Sequence, residues 1–308
     1  MREEAILEFR KTAARKSLLL LLGLATLLTV LLHLSMRAEA NYLLRGPAET
    51  REILDRGLQA GSLTEPEYQD RIASVDEAAA TAVFEEKALL FPDSLRMGMQ
   101  TLATAGALFV AMGAALSFGS EHSWGTYRNL VSVGRPRARV LVAQFLGYLL
   151  LALAALVVTL VIAAGLGLLE SLALAQPTPR FSADWTALGI TAAGTALVLV
   201  FWAGVGMVAA VLGRSPGAAV SIATLVWVAT LFTGFLGPAI RRWSLDSLTA
   251  SLLSYGDAGR IVHGLFVPAG LTPRASAPAP GLAALILGGL IGAILVVATR
   301  RFQHMDIL

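Results

Sequence analysis

The 308-residue sequence has no cysteine, which excludes disulfides, thiolate metal ligation and thiol catalysis in one step. Lysine is almost as scarce. Lys11, Lys16 and Lys87 are the only three, and none follows the glycine that a Gly-x-x-x-x-Gly-Lys-Ser/Thr phosphate loop demands, so ATP hydrolysis by that route is excluded. The histidines, His33, His122, His263 and His304, are scattered and show no His-Glu-x-x-His spacing. Charged residues make up 15% of the chain against 56% hydrophobic ones, with a mean hydropathy of +0.69, the balance of a membrane protein rather than a soluble one.

What is present is a set of long apolar runs. A hydrocarbon core of about 30 Å takes roughly 20 helical residues. Six stretches qualify as transmembrane helices: 17–36, 98–118, 140–168, 185–212, 218–240 and 282–299. The runs are continuous rather than alternating, which predicts helices and not barrel strands. The expected fold is an all-α polytopic membrane protein with six spans. None of the six contains Asp, Glu, Lys or Arg, and His33 is the one imidazole near a span end. Ion-coupled transporters usually place ionisable groups at mid-membrane, so their absence favours a motor supplied by another polypeptide. Gln100 and Gln144 read as helix–helix hydrogen-bonding groups, and Gly288 with Gly292 as a Gly-x-x-x-Gly packing pair.

An isoelectric point near 9.5 with a net charge of only +3 speaks against nucleic acid as partner and for asymmetric membrane loops. Lys and Arg are equally numerous on the two sides, but the inner segments are less than half as long and hold fewer acids. Basic density therefore predicts a multi-pass protein of the inner (plasma) membrane with both termini cytoplasmic. The small-x-small pattern Ala38-Glu39-Ala40 suggests a cleavable signal as an alternative, but the apolar run before it exceeds a signal core.

Residues 1–16 read as an amphipathic interfacial helix, with Ile6, Phe9 and Ala13 on one face, or as a basic flank that fixes topology. The acid-rich segment 37–97 reads as an extracytoplasmic helical hairpin. Pro47 suits a first helical turn, Gly61 breaks the pattern, and Thr64 to Glu67 has capping-box spacing with Pro66 just inside the second helix. The third span, too long to cross upright, should tilt or protrude. Within 241–281 the pattern Trp243, Leu245, Leu248, Leu252, Leu253 predicts a short external or re-entrant helix, and 300–308 is a cytoplasmic tail. Gly213-Arg214-Ser215-Pro216-Gly217 matches Gly-x-Ser-x-Gly literally, but it joins two membrane helices and lacks the strand–turn–helix setting that exposes a nucleophile.

The stretch 119–139 stands out, because Glu121, Gly125, Thr126, Arg128, Arg135, Arg137 and Arg139 interrupt otherwise membrane-soluble sequence. An acidic residue precedes Gly-Thr, Leu130 and Val131 follow, and Gly134-Arg135-Pro136-Arg137 makes a turn before the third span. In this order the features resemble the ABC-2 type permease family, the membrane subunits of ATP-binding-cassette exporters, over nearly the whole chain. Glu8-Phe9-Arg10 is similar to that family's entry helix, and Phe302 with Asp306-Ile307 to its usual ending. Pro136 stands where serine is usual and Gln144 where lysine often begins the third span.

The resemblance implies that 119–139 is a cytoplasmic coupling helix seated on a separate ATPase subunit. It also implies two such ATPase copies, a second permease copy or a paralogue, and surrounding membrane lipid. ATP and magnesium would sit on the partner, with no cofactor and no catalytic residue on this chain. The charge-free spans favour a hydrophobic or amphipathic cargo. Two other readings stand beside it: a self-sufficient channel or secondary transporter, and, from Ser215 alone, an intramembrane enzyme.

Overall fold

The computed structural model describes residues 16–127, 136–173, 184–235, 242–253 and 278–304, and every regular element among them is helical. In chain order these are α1 (Lys16–Gln59), α2 (Glu65–Leu89), α3 (Asp93–Ser123), α4 (Arg137–Ala173), α5 (Trp185–Gly213), α6 (Pro216–Leu231), a 3-10 turn (Phe232–Phe235), α7 (Leu245–Leu253) and α8 (Pro280–Gln303). The backbone packs as two units. One takes in Met1–Thr29, Gly98–Val161 and Asp184–Leu308, the other Val30–Met97 and Ile162–Ala183, so α1, α3 and α4 have residues in both.

In the smaller unit the expected hairpin is present, but its first helix does not start at Pro47. The helix α1 runs without interruption through 46–47, joining the expected first span to the hairpin. A proline inside a helix removes one N–H donor and costs roughly 3 kcal/mol. Ion pairs tie α1 to its neighbours before and after this point: Arg37 to Glu170 of α4 at 2.8 Å, and Arg51 to Asp76 of α2.

The turn follows its sequence signals closely. Gly61 takes φ +71°, the Ser62 N–H donates to the Gly57 carbonyl at 2.9 Å, and the Thr64 N–H donates to Glu67 Oε2 at 3.0 Å, the backward half of a capping box. The Thr64 hydroxyl donates to the same carboxylate at 2.8 Å. These bonds, the backbone one foremost, hold the Glu67 carboxyl below its ordinary range. Leu54 and Val75 are buried between the helices, and the Tyr68 hydroxyl donates to Asp55 at 2.7 Å.

In the larger unit α3 and α5 are the most buried of the long helices and α8 the least. Gly206 of α5 explains the close crossing. A Cβ there would stand 2.3 Å from the Ala111 carbonyl oxygen and 2.7 Å from Ala114 Cβ, so only glycine lets the α3 and α5 backbones meet. The Tyr148 hydroxyl of α4 donates to the Val110 carbonyl at 2.7 Å, tying α4 to the same pair. Buried Thr191 and Thr195 each return their hydroxyl to the carbonyl four residues back, so neither leaves a donor unpaired. The short helix expected after residue 241 is α7, with Leu248, Leu252 and Leu253 buried where it packs on α5 and α8.

The connection between α5 and α6 is a tight turn. Arg214 sits in the left-handed region with φ 54° and its N–H on the Ala210 carbonyl, then the Ser215 side chain accepts from the Ala218 N–H ahead of Pro216. Ser215 is thus an N-cap between two helices, with no strand before it.

Among the described residues four helices are long and apolar enough to cross a membrane: α3, α4, α5 and α8. Of the other two expected spans, 17–36 lies wholly within α1, and 218–240 begins as the 16-residue α6, Pro216–Leu231. α6 stops at Leu231 and tightens into the 3-10 turn, whereas the apolar run continues to residue 240. The helix α4 has 37 residues, about 55 Å, which exceeds a hydrocarbon core by about 25 Å and is longer than the expected 140–168.

Candidate functional site

The arginine-rich connection belongs to the larger unit, and its ends are extensions of membrane helices. Residues 119–123 complete α3 and Arg137 to Arg139 open α4, so the expected boundaries at 118 and 140 fall inside helices. After Ser123 the chain turns through Trp124 and Gly125. Gly125 adopts φ +68°, open to glycine without steric cost, and its N–H donates to the His122 carbonyl at 3.2 Å. Thr126 and Tyr127 are helical again, in agreement with a turn and restart at Gly-Thr. Arg128 and Arg135 lie outside the described residues, as do Glu8, Phe9, Arg10 and the interfacial helix expected at 1–16.

Tyr127 organises this end of the unit. It is 3% exposed, and its ring meets Phe302 of α8 edge-on at 4.8 Å and the His122 ring at 5.9 Å. Its hydroxyl donates to Gln144 Oε1 on α4, while Gln144 Nε2 donates to the Ser117 carbonyl of α3 at 3.4 Å. Arg137 adds a second tie by donating from Nη1 to the Gln303 carbonyl at 2.8 Å, satisfying an end carbonyl of α8. One tyrosine and one arginine therefore join α3, α4 and α8 within two residues of the loop.

The residues singled out by sequence are not all at the surface. Glu121 is 2% exposed, Thr126 and Arg137 are half-buried, and Arg139 is exposed. The Glu121 carboxylate is therefore turned away from the surface of the described residues. The large exposed side chain here is Trp124, at 66%. Trp124 and Tyr127 were missed because charge, not aromaticity, marked the segment, although an aromatic on either side of a turn glycine was a usable signal.

Gln144, read as a helix–helix hydrogen-bonding group, has that role. Among the described residues no group of three or more His, Asp or Glu side chains could hold a metal ion. Mechanically, the arrangement can carry a displacement of the loop into three helices at once, through a buried hydrogen bond and an aromatic contact. No protein-family model matches the chain, and no curated protein matches it either.

Proposed function

We propose that this chain is the membrane subunit of an ABC-2 type exporter, working as half of a translocation path driven by a separate ATPase. The observation that carries the reading is the Tyr127 junction: a loop of the composition seen in that family is tied at its base to α3, α4 and α8. A push on the loop would be passed to all three helices rather than absorbed by a slack linker. Trp124, exposed in the turn, and Arg139, exposed in the first turn of α4, supply an apolar anchor and a guanidinium of the kinds enriched at binding hot spots.

The reading takes six spans with both termini cytoplasmic. In its support, the 16 residues of α6 and the four of the 3-10 turn together rise about 32 Å, close to a hydrocarbon core of about 30 Å. The apolar stretch of α1 supplies the first span. The cargo in this reading is hydrophobic or amphipathic, because the spans offer no ionised group to compensate a charged solute.

The test is purification of the tagged full-length chain from its host membrane under mild detergent. A Walker-motif ATPase should co-purify, and Trp124→Ala should reduce its recovery on the order of tenfold, the effect of losing one hot-spot side chain, with thermal unfolding of the chain unchanged. Solute movement by the purified chain alone, without nucleotide, would instead support a self-sufficient channel or secondary transporter and end the proposal.

A further inference from the structure

We propose that the exposed face of α8 is a binding site for an anionic phospholipid, taken from the leaflet at the C-terminal end of that helix. This face is the least covered among the long helices. Along it, one ridge of residues four apart climbs from Gly288 and Gly292 to Val296 and Arg300, and the ridge beside it ends in Val297 and Arg301, all of them exposed. A Cβ added at Gly288 or Gly292 would meet nothing within 4 Å, so among the described residues no helix packs on the expected Gly-x-x-x-Gly pair and this lower part of the face is smooth and open. The valines above it are 51% and 55% exposed. The order is therefore an acyl-sized apolar lane below and two guanidinium groups above.

The dimensions fit a lipid. From Gly288 to Arg300 the helix rises about 18 Å, a little more than half of a hydrocarbon core of about 30 Å, which is the depth of one leaflet. The charges select its headgroup. Among the described residues neither Arg300 nor Arg301 has an ion-pair partner, and the one carboxylate at this end of the unit, Glu121, is buried. Two exposed guanidinium groups favour a phosphate whose headgroup carries no cation of its own, because a choline or ethanolamine would be repelled by the second arginine.

The helix is also held in the required rotation. Phe302 is 1% exposed against Tyr127, and Arg137 grips the Gln303 carbonyl, so the ridges stay turned away from the bundle. The exposed apolar lane beneath the arginines is what distinguishes a lipid from an acidic peptide, which would need no apolar surface of this length.

None of these residues serves the proposed ATPase contact, so failure of either idea leaves the other standing. The experiment is native mass spectrometry of the full-length, detergent-purified chain offered equal amounts of phosphatidylglycerol and phosphatidylcholine with matched acyl chains. Phosphatidylglycerol should be retained over phosphatidylcholine on the order of tenfold, in keeping with two arginines near a lipid phosphate. Arg300→Gln with Arg301→Gln should bring the ratio close to one with thermal unfolding unchanged, because both side chains are exposed. Gly292→Leu, which places a side chain across the smooth lane and keeps both charges, should lower retention of phosphatidylglycerol. Arg242→Gln, an exposed arginine before α7, should leave the ratio as it was. Equal retention of the two lipids by the unaltered chain, a preference surviving the double substitution, unchanged binding by Gly292→Leu, or loss of preference in Arg242→Gln would each overturn the proposal.

Discussion

Tyr127 is engaged at both its ring and its hydroxyl, and the two engagements can be separated by substitution. Tyr127→Phe keeps the edge contact with Phe302 but deletes the donor to Gln144, leaving a buried amide oxygen short of a partner. The expected cost is about 1–3 kcal/mol. Tyr127→Leu also loses the aromatic contact, worth about 0.5–1.5 kcal/mol more. Thermal unfolding of the purified variants should rank unaltered chain, Phe and Leu in that order, and a Tyr127→Phe chain as stable as the unaltered one would show the hydrogen bond to be idle. The contrast with Glu121 shows what sequence can reveal at this scale. A charge among apolar residues is conspicuous, but its direction is set by the helix that carries it, and α3 continues through Glu121 and turns it inward. Buried aromatics that fasten a loop look like any other membrane aromatic until their neighbours are known.

Elements were more legible than their limits. The hairpin turn was readable because Gly61, Thr64, Pro66 and Glu67 each act within one turn of themselves, and local chemistry of this kind does not depend on distant packing. The passage of α1 through Pro47 was not readable, since a proline locally signals a helix start and nothing near it in sequence marks the continuation. The early end of α6 is another boundary that the continuous apolar run 218–240 conceals.

The cap also carries a pH dependence. Hydrogen bonds from Thr64 hold Glu67 below its ordinary value of 4.5, so the folded hairpin prefers the ionised carboxylate. A depressed carboxylate contributes stability that is present above the unfolded-state value and is lost as pH falls through the folded-state one. Protection of the Tyr68 amide, which bonds to the Thr64 carbonyl at 2.9 Å, should therefore decline below pH 4.5 in hydrogen exchange corrected for intrinsic rates. Glu67→Gln should start from lower protection and show little of that decline. A chain whose Tyr68 protection is flat across the same range would remove the capping carboxylate from the account.

At the scale of the whole molecule the open quantity is how many helices cross the bilayer and in which direction. Four long apolar helices make an all-helical membrane architecture plain in the sequence, because twenty apolar residues in a row leave few alternatives. The count of six depends on α1, which runs on into the hairpin, and on α6, which has 16 residues. The absence of cysteine turns this into a clean experiment, since every labelling signal will come from the one thiol introduced.

Six spans with both termini inside put the starts of α4 and α6 and the end of α8 on the cytoplasmic side, and the start of α5 and the segment before α7 outside. In intact cells a membrane-impermeant thiol reagent should label Trp185→Cys and Trp243→Cys, both of them exposed positions. It should reach Arg139→Cys, Arg214→Cys and His304→Cys only after the membrane is opened. If α6 did not cross, Trp243→Cys would be protected together with Arg214→Cys. If the whole orientation were reversed, the two sets would exchange. Of the two proposals only the coupling one requires the cytoplasmic orientation, because a cytoplasmic ATPase can meet only a loop that faces it. Labelling of Arg139→Cys in intact cells would thus remove the coupling reading, while the lipid site on α8 would move to the outer leaflet without losing its chemistry.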